Sequence, residues 1–285
     1  MTALSPVFRK AVQASAKDLI ITPFLLAQLG KGEYDAFTMQ VPARKQKKFD
    51  SSHVDGWFHP STHPMMTERQ LYYYLTEPEK WDPEPFSAEG RMSVTVGTMM
   101  HAFVEQMLLD SKALIAPNGE TCPACSRAIG KRKGQCYEHG VADTELLSRG
   151  HMDGVVNPEL LNAGFEFKSS NPRSLDNLVD NDVETFKKRY PGYYAQVQEY
   201  MRMSGLRNFI VLFMATAYPW TTKEFNIEYD IEFALGTEKK YRSVREHVAL
   251  GIPPEPCCAP RSKESRSCAA ASCEIRQITR SMDRV

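Results

Sequence analysis

Phe165-Glu166-Phe167-Lys168 is the stretch on which the reading of this chain turns. In a β-strand successive side chains leave opposite faces. The two phenylalanines therefore share one face, as core, and Glu166 and Lys168 share the other. A carboxylate beside an ammonium group on a rigid strand suits metal-assisted hydrolysis. The glutamate can hold a hard cation, and the lysine can orient or polarise the attacking water. Taken alone, the charged face of any half-buried strand looks the same, so the tetrapeptide needs company.

Company stands on the preceding strand, expected over 146–156. It carries Gly150-His151-Met152-Asp153-Gly154. Antiparallel pairing would bring Asp153 beside Glu166, and two oxygen donors suit Mg²⁺, with waters and a substrate phosphate completing the shell. A turn aspartate is the plainer alternative, since Gly154 follows. Upstream, apolar periodicity predicts a helix over 94–109, with Val96, Met99, Met100, Phe103 and Met107 as its stripe. Gly97, His101 and Glu105 fall on successive turns of one face of it. His101 could complete a metal shell as a neutral imidazole, which would favour Mn²⁺. Downstream, helical sequence over 181–203 is interrupted by Pro191, so Gln196 and Tyr200 belong to a second helix starting there.

The remaining elements follow the same logic. The apolar run 209–217 predicts a strand buried on both faces, 225–229 another strand, and 231–250 a helix. The first 30 residues read as helical, and Ser61 is the expected N-cap of a helix reaching Leu75. The chain thus divides into an N-terminal helical and basic segment (1–60), a core domain (61–250) and a Cys-rich tail (251–285).

Composition sets the limits. The 285 residues are 42% apolar and 25% charged, ordinary for a globular α/β protein. Lys plus Arg equal Asp plus Glu at 35 each, so nucleic-acid binding cannot be read from bulk charge and must come from local patches. Lys187-Lys188-Arg189, with Tyr190, Tyr193 and Tyr194 close behind, is such a patch: cations for phosphates and rings for unpaired bases. No apolar run reaches the ~20 residues of a membrane span. The first ten residues lack a secretory pattern. A cytoplasmic protein is expected, with cysteines as thiols or metal ligands.

Seven cysteines fall into two groups. Cys122-Pro-Ala-Cys125 and Cys136-Tyr-Glu-His139 lie in a polar insertion (117–141), and the paired short spacings predict a tetrahedral Zn²⁺ site. Zinc would supply folding energy that so polar a segment cannot draw from a core. Lys131-Arg132-Lys133, inside it, could touch DNA. Cys257, Cys258, Cys268 and Cys273 form the second group, for which iron–sulfur, zinc and no metal all remain open.

In order along the chain, Gly97-x-x-x-His101, Asp153, Glu166-x-Lys168 and Gln196-x-x-x-Tyr200 resemble the RecB-type nucleases of the PD-(D/E)XK superfamily, with their CRISPR-associated and phage exonuclease relatives. The resemblance spans roughly 61–203. It implies a restriction-endonuclease-like core, a central mixed sheet flanked by helices, and Mg²⁺- or Mn²⁺-dependent cleavage of DNA ends or single strands in replication, recombination or repair. His101, Asp153 and Glu166 would then hold the metal, Lys168 would be the catalytic lysine, and Gln196 and Tyr200 would order the site. Many such relatives carry an iron–sulfur cluster with one cysteine before the core and three after. Here Glu68-Arg69-Gln70-Leu71-Tyr72 resembles the upstream C-x-R segment without its cysteine. A structure-selective endonuclease of the same fold, or a non-catalytic zinc-containing DNA-binding partner of recombination proteins, are the alternatives.

Overall fold

The strand singled out by its alternation lies at the centre of a five-stranded sheet. A computed structural model describes residues 19–30, 55–80, 87–130, 135–218, 220–268 and 273–283. Its elements are α1 (Thr22–Gly30), α2 (Glu68–Thr76), α3 (Ala88–Asp110), β1 (Leu114–Ile115), β2 (His139–Asp143), β3 (Ser148–Met152), β4 (Gly154–Val156) and β5 (Ala163–Ser170). There follow α4 (Pro172–Leu175), α5 (Val183–Arg189), α6 (Pro191–Ser204), β6 (Asn208–Ala215), β7 (Thr222–Glu228), α7 (Ile231–Leu250), α8 (Lys263–Ser267) and α9 (Glu274–Met282). Residues 31–54 and 131–134, with their Arg44–Lys48 and Lys131–Lys133 runs, lie outside the described residues.

The large sheet has the order β1-β4-β5-β6-β7, and β2 and β3 form a separate two-stranded sheet. β5 runs parallel to β6 and antiparallel to β4, and β6 is antiparallel to β7, so the sheet is mixed. Helices cover both faces. Phe165 and Phe167 pack with Val104, Met107 and Leu108 of α3 on one side. On the other, Phe209, Val211 and Phe213 of β6 pack with Val197, Tyr200 and Met201 of α6. Fully burying a Phe or Leu side chain contributes about 1.5–3 kcal/mol before entropy is subtracted, so this double layer is what makes β5 rigid. The architecture expected from the sequence, a mixed sheet flanked by helices, is the one observed.

Local differences have local causes. α2 is capped by Thr67, not Ser61: Thr67 and Gln70 form a reciprocal capping box, and Ser61 precedes a short 3₁₀ turn over His63–Met65. α3 begins six residues earlier than expected, behind the cap Ser87. Its buried face carries Gly97, Val104, Met107 and Leu108, whereas Met99, expected in the apolar stripe, is 57% exposed. The single strand expected over 146–156 is two, β3 and β4, which belong to different sheets and part at Asp153. Pro191 does restart the helix as α6. α1 is docked by Glu224 of β7. That carboxylate accepts the amide N–H of Ile20 (2.6 Å) and Thr22 (2.7 Å) and the Thr22 hydroxyl (2.7 Å), placing an anion at a helix N-terminus.

The tail is not a free appendage. Cys268 and Cys273 are buried against Tyr72 and Tyr73 of α2. Arg69 donates to the Pro254 carbonyl and to Glu274 (3.4 Å) and lies over the Tyr73 ring (5.8 Å). Among the described residues no three of the four tail thiols lie within 4.8 Å of one another. Cys257 and Cys258 lie 4.0 Å apart, sulfur to sulfur, toward the surface.

Candidate active site

At the point where β3 leaves the small sheet and β4 enters the large one, the chain bends at Asp153. The β4–β5 register pairs Gly154 with Phe165 and Val155 with Gly164, and extended by one step it sets Asp153 opposite Glu166. The ladder has already opened there, and the Asp153 side chain replaces the missing acceptor: Oδ2 takes the Phe167 N–H at 2.9 Å. A backbone donor thereby pins a carboxylate beside the Glu166–Lys168 face of β5.

α3 adds two groups. Its Gly97 crosses β5 so closely that a Cβ there would lie 2.8 Å from Ser169 Oγ. One turn on, His101 Nδ1 is 3.2 Å from Asp153 Oδ2 and 3.6 Å from Glu105 Oε1, and the ring meets the edge of Phe167 at 4.9 Å. Donor atoms of His101, Glu105 and Asp153 all lie within 4.8 Å of one another. Glu105 is the member that the sequence analysis placed on the right helix face but did not read as a ligand. Only its reach across to Asp153 distinguishes it from any helical glutamate.

α6 closes the other side. Lys168 Nζ donates to Glu166 Oε1 (2.7 Å) and Gln196 Oε1 (3.1 Å), over the face of Tyr193 (4.5 Å). Gln196 Nε2 donates to Glu166 Oε1 (2.9 Å) and to the Tyr200 hydroxyl (3.2 Å), and Tyr200 donates to the His151 carbonyl (2.7 Å). Glu166 Oε2 is buried with no hydrogen-bond partner among the described residues. An orphaned carboxylate oxygen is costly unless a cation or donor comes to it. Glu166, expected as a ligand, stands outside the group of three donors within 4.8 Å, His101, Glu105 and Asp153, whose mixed nitrogen and oxygen atoms fit a divalent ion.

The electrostatics agree. Burial, then the charge of Asp153, push the Glu166 carboxyl up. Burial opposes protonation of His101, but its pairing with the Asp153 and Glu105 carboxylates outweighs this and raises it to about 9. Asp153 would be raised by burial, yet His101 and Lys168 hold it below its ordinary value. For Lys168 burial works downward, and the Glu166 and Asp153 charges outweigh it, keeping the ammonium protonated. As placed, Lys168 donates to Glu166 and Gln196. Three carboxyl groups, Asp153, Glu105 and Glu166, thus gather around the His101 imidazole and the Lys168 ammonium.

Other expected residues fall elsewhere. Tyr193 lies at the site, under Lys168. Lys187 instead sits over Tyr194 (4.7 Å) and 3.8 Å from Asp230, and Lys188 and Arg189 are exposed at the end of α5. His139 is the clear correction. Its Nε2 bonds the Ile115 carbonyl at 2.9 Å, while Cys122, Cys125 and Cys136 gather with His151 instead. The reason is strand geometry: Gly140 pairs with His151 across the β2–β3 hairpin, and side chains one residue apart leave opposite faces. His139 therefore points away from the thiols, and His151 points at them.

No family model matches the sequence, and no curated protein matches it. Among solved structures, an alkaline exonuclease from Laribacter hongkongensis is 16% identical over 69% of this chain and 90% of its own, with a TM-score of 0.45. The same enzyme in complex with dAMP gives 13% over 71% and 92%, with a TM-score of 0.41. A phage-related exonuclease from Haemophilus somnus 129PT is 19% identical over 65% and 95%, with a TM-score of 0.32. At these values the likeness assigns no activity to this chain. No helix among the described residues is long and apolar enough to cross a membrane.

Proposed function

We propose that this protein is a metal-dependent nuclease that hydrolyses phosphodiester bonds of DNA, working from ends or on single strands in replication, recombination or repair. One observation carries the reading: Asp153 accepts the Phe167 N–H from the strand that bears Glu166 and Lys168, its carboxylate 3.2 Å from His101, while Gln196 binds Glu166 and Lys168 together.

Asp153, the free Oε2 of Glu166, and His101 with Glu105 would hold Mg²⁺ or Mn²⁺. A divalent ion bound there supplies charge neutralisation at the phosphate and a more acidic water. The rest is work for the chain. Lys168, kept protonated by its two carboxylate neighbours, offers N–H bonds to the nucleophile or to the oxygen gaining charge at phosphorus. Gln196 holds Lys168 and Glu166 together and so fixes the distance between donor and metal ligand. Tyr200 ties that pair to the β3 backbone. Tyr193, packed under Lys168, and the exposed Lys188 and Arg189 are available to a nucleic-acid strand.

Nucleotide release from linear and circular DNA, with and without Mg²⁺ or Mn²⁺, tests the assignment. Metal-dependent release of mononucleotides from linear DNA alone is the expected result. Nicking of circular DNA would make the protein an endonuclease of the same chemistry. No cleavage of any DNA with either ion would overturn the reading.

A further inference from the structure

We propose that Cys122, Cys125, Cys136 and His151 bind one Zn²⁺, and that through His151 this zinc site holds the β3 backbone in the position the catalytic groups require. The second half rests on the nuclease reading; the first does not.

The geometry is that of a tetrahedral site. The four donor atoms lie within 4.8 Å of one another, and Cys122 Sγ is 3.4 Å from His151 Nε2. With Zn–S near ~2.3 Å and Zn–N near ~2.0–2.1 Å, the sulfur–nitrogen edge of a tetrahedron is about 3.5 Å. The chain is built to this spacing on each side. Cys122-Pro-Ala-Cys125 turns back on itself, with the Ser126 N–H on the Cys122 carbonyl (2.8 Å) and Ser126 at φ 56°. The third thiol is delivered by Cys136, whose N–H bonds the Ala128 carbonyl at 2.8 Å. Arg127 Nε is 3.3 Å from Cys125 Sγ, a donor suited to a thiolate. Opposite His151, position 140 has to be glycine: a Cβ there would lie 2.2 Å from Cys122 Sγ. A side chain is excluded where the sulfur must pass.

His151 also joins the two sites. Its side chain faces the thiols while its carbonyl accepts the Tyr200 hydroxyl. Two residues later, at the bend where β3 gives way to β4, the same segment delivers Asp153. Pro60 and Tyr200 press on the adjoining Gly150, where a Cβ would meet them at 2.9 and 3.0 Å. The backbone from Gly150 to Asp153 therefore has little freedom once the imidazole is ligated. Metal sites orient their surroundings through such shared partners, and here the shared partner is a main-chain carbonyl.

The full-length protein, purified without added metal, should contain one zinc per chain by elemental analysis. Cys125→Ser and His151→Ala should lose it or bind it at least ~10-fold more weakly, and His139→Ala should keep it. Substitution with Co²⁺ supplies a readout that needs no activity. The visible bands should move to longer wavelength in His151→Cys, which makes an all-sulfur set, and stay in place in His139→Cys. Because His151→Cys retains four ligands, a folding failure of His151→Ala leaves the question answerable. Zinc lost with His139→Ala but kept with His151→Ala, or no zinc in any form, overturns the site. For the coupling, amide exchange of zinc-free Cys125→Ser should quicken beyond the insertion, across 148–153. Exchange that quickens only within 120–137 overturns it. Zinc content and exchange stand even where no DNA is cleaved, so either half can fail separately from the nuclease reading.

Discussion

Glu166 and Lys168 stand on a strand whose other face is packed with Phe165 and Phe167 against α3, while Cys122, Cys125 and Cys136 stand on a ribbon with little more than Ala124 and Ile129 beside them. Both regions gather donor atoms to within a few ångströms, but by different means. In the sheet, apolar burial holds the backbone and the polar groups are carried on it, so the cluster persists with its charges unbalanced. Among the described residues of the insertion the apolar cluster is small, so the proposed zinc would supply much of the free energy of folding there. A site built on a core can lose its metal and keep its shape. A site built without one cannot.

The contrast is easiest to break by deleting apolar volume. Phe167→Ala should destabilise the protein by about 3–5 kcal/mol in urea unfolding, the range for a fully buried aromatic. Ile129→Ala should cost well under half as much, and equal costs would mean the insertion has a core after all. Next in size is chemistry without stability. Lys168→Ala and Glu166→Ala should each lower DNA cleavage at least ~100-fold, about 2.7 kcal/mol at the transition state, while circular dichroism and DNA binding stay near those of the parent protein. Near-normal turnover of either purified variant would remove the catalytic role from that position.

A smaller effect should fall on the insertion alone. Gly140→Ala places a methyl group against Cys122 Sγ, an overpacking cost of about 1–3 kcal/mol. Trypsin should then cut within 120–137 first while the sheet remains intact. Simultaneous loss of both would show that the regions fold as one unit.

The smallest difference is one of pH. His63 lies in the core region, buried against Phe58 and Tyr74, its Nδ1 accepting the His59 N–H. Burial, then the charge of His59, depress it from 6.5 to about 3. The unfolded chain thus binds a proton there that the folded chain refuses, and stability falls as pH drops below 6.5. At pH 5.5 this amounts to about 1.4 kcal/mol. His101, being raised, works in the opposite sense: its contribution is fully present below 6.5 and disappears as pH climbs through about 9. Comparing His63→Gln with the parent at pH 7.5 and 5.5 isolates the first term, and the variant should lose less stability on acidification. Equal losses would place His63 outside the acid response.

Much of this was legible without coordinates because it is local. Alternation in Phe165-Glu166-Phe167-Lys168 sorts core from site within one strand. Pro191 restarts the helix, and the apolar run at 209–217 reads as a strand buried on both faces, which β6 (Asn208–Ala215) is. Spacing paired Glu166 with Lys168 and Gln196 with Tyr200, each one strand or helix repeat apart, and it was the resemblance to RecB-type nucleases that joined them to His101 and Asp153 as a set. What spacing could not supply is how separate elements are registered against each other. His139 is closer to the thiols in sequence than His151, and C-x-x-H is a familiar pairing. Yet a hairpin register of Gly140 with His151 turns one imidazole toward the sulfurs and the other toward Ile115. Glu105 comes within reach of His101 and Asp153 because α3 approaches β5 closely at Gly97, and Asp153 gained its bond to Phe167 because two sheets part there. Arg69 likewise anchors the tail through a carbonyl 185 residues away. Periodicity is set by each residue's neighbours in the chain, and so the sequence alone determined which polar groups stand off the core faces. Which of them meet depends on strand register and close helix–sheet approach, which only the folded chain decides.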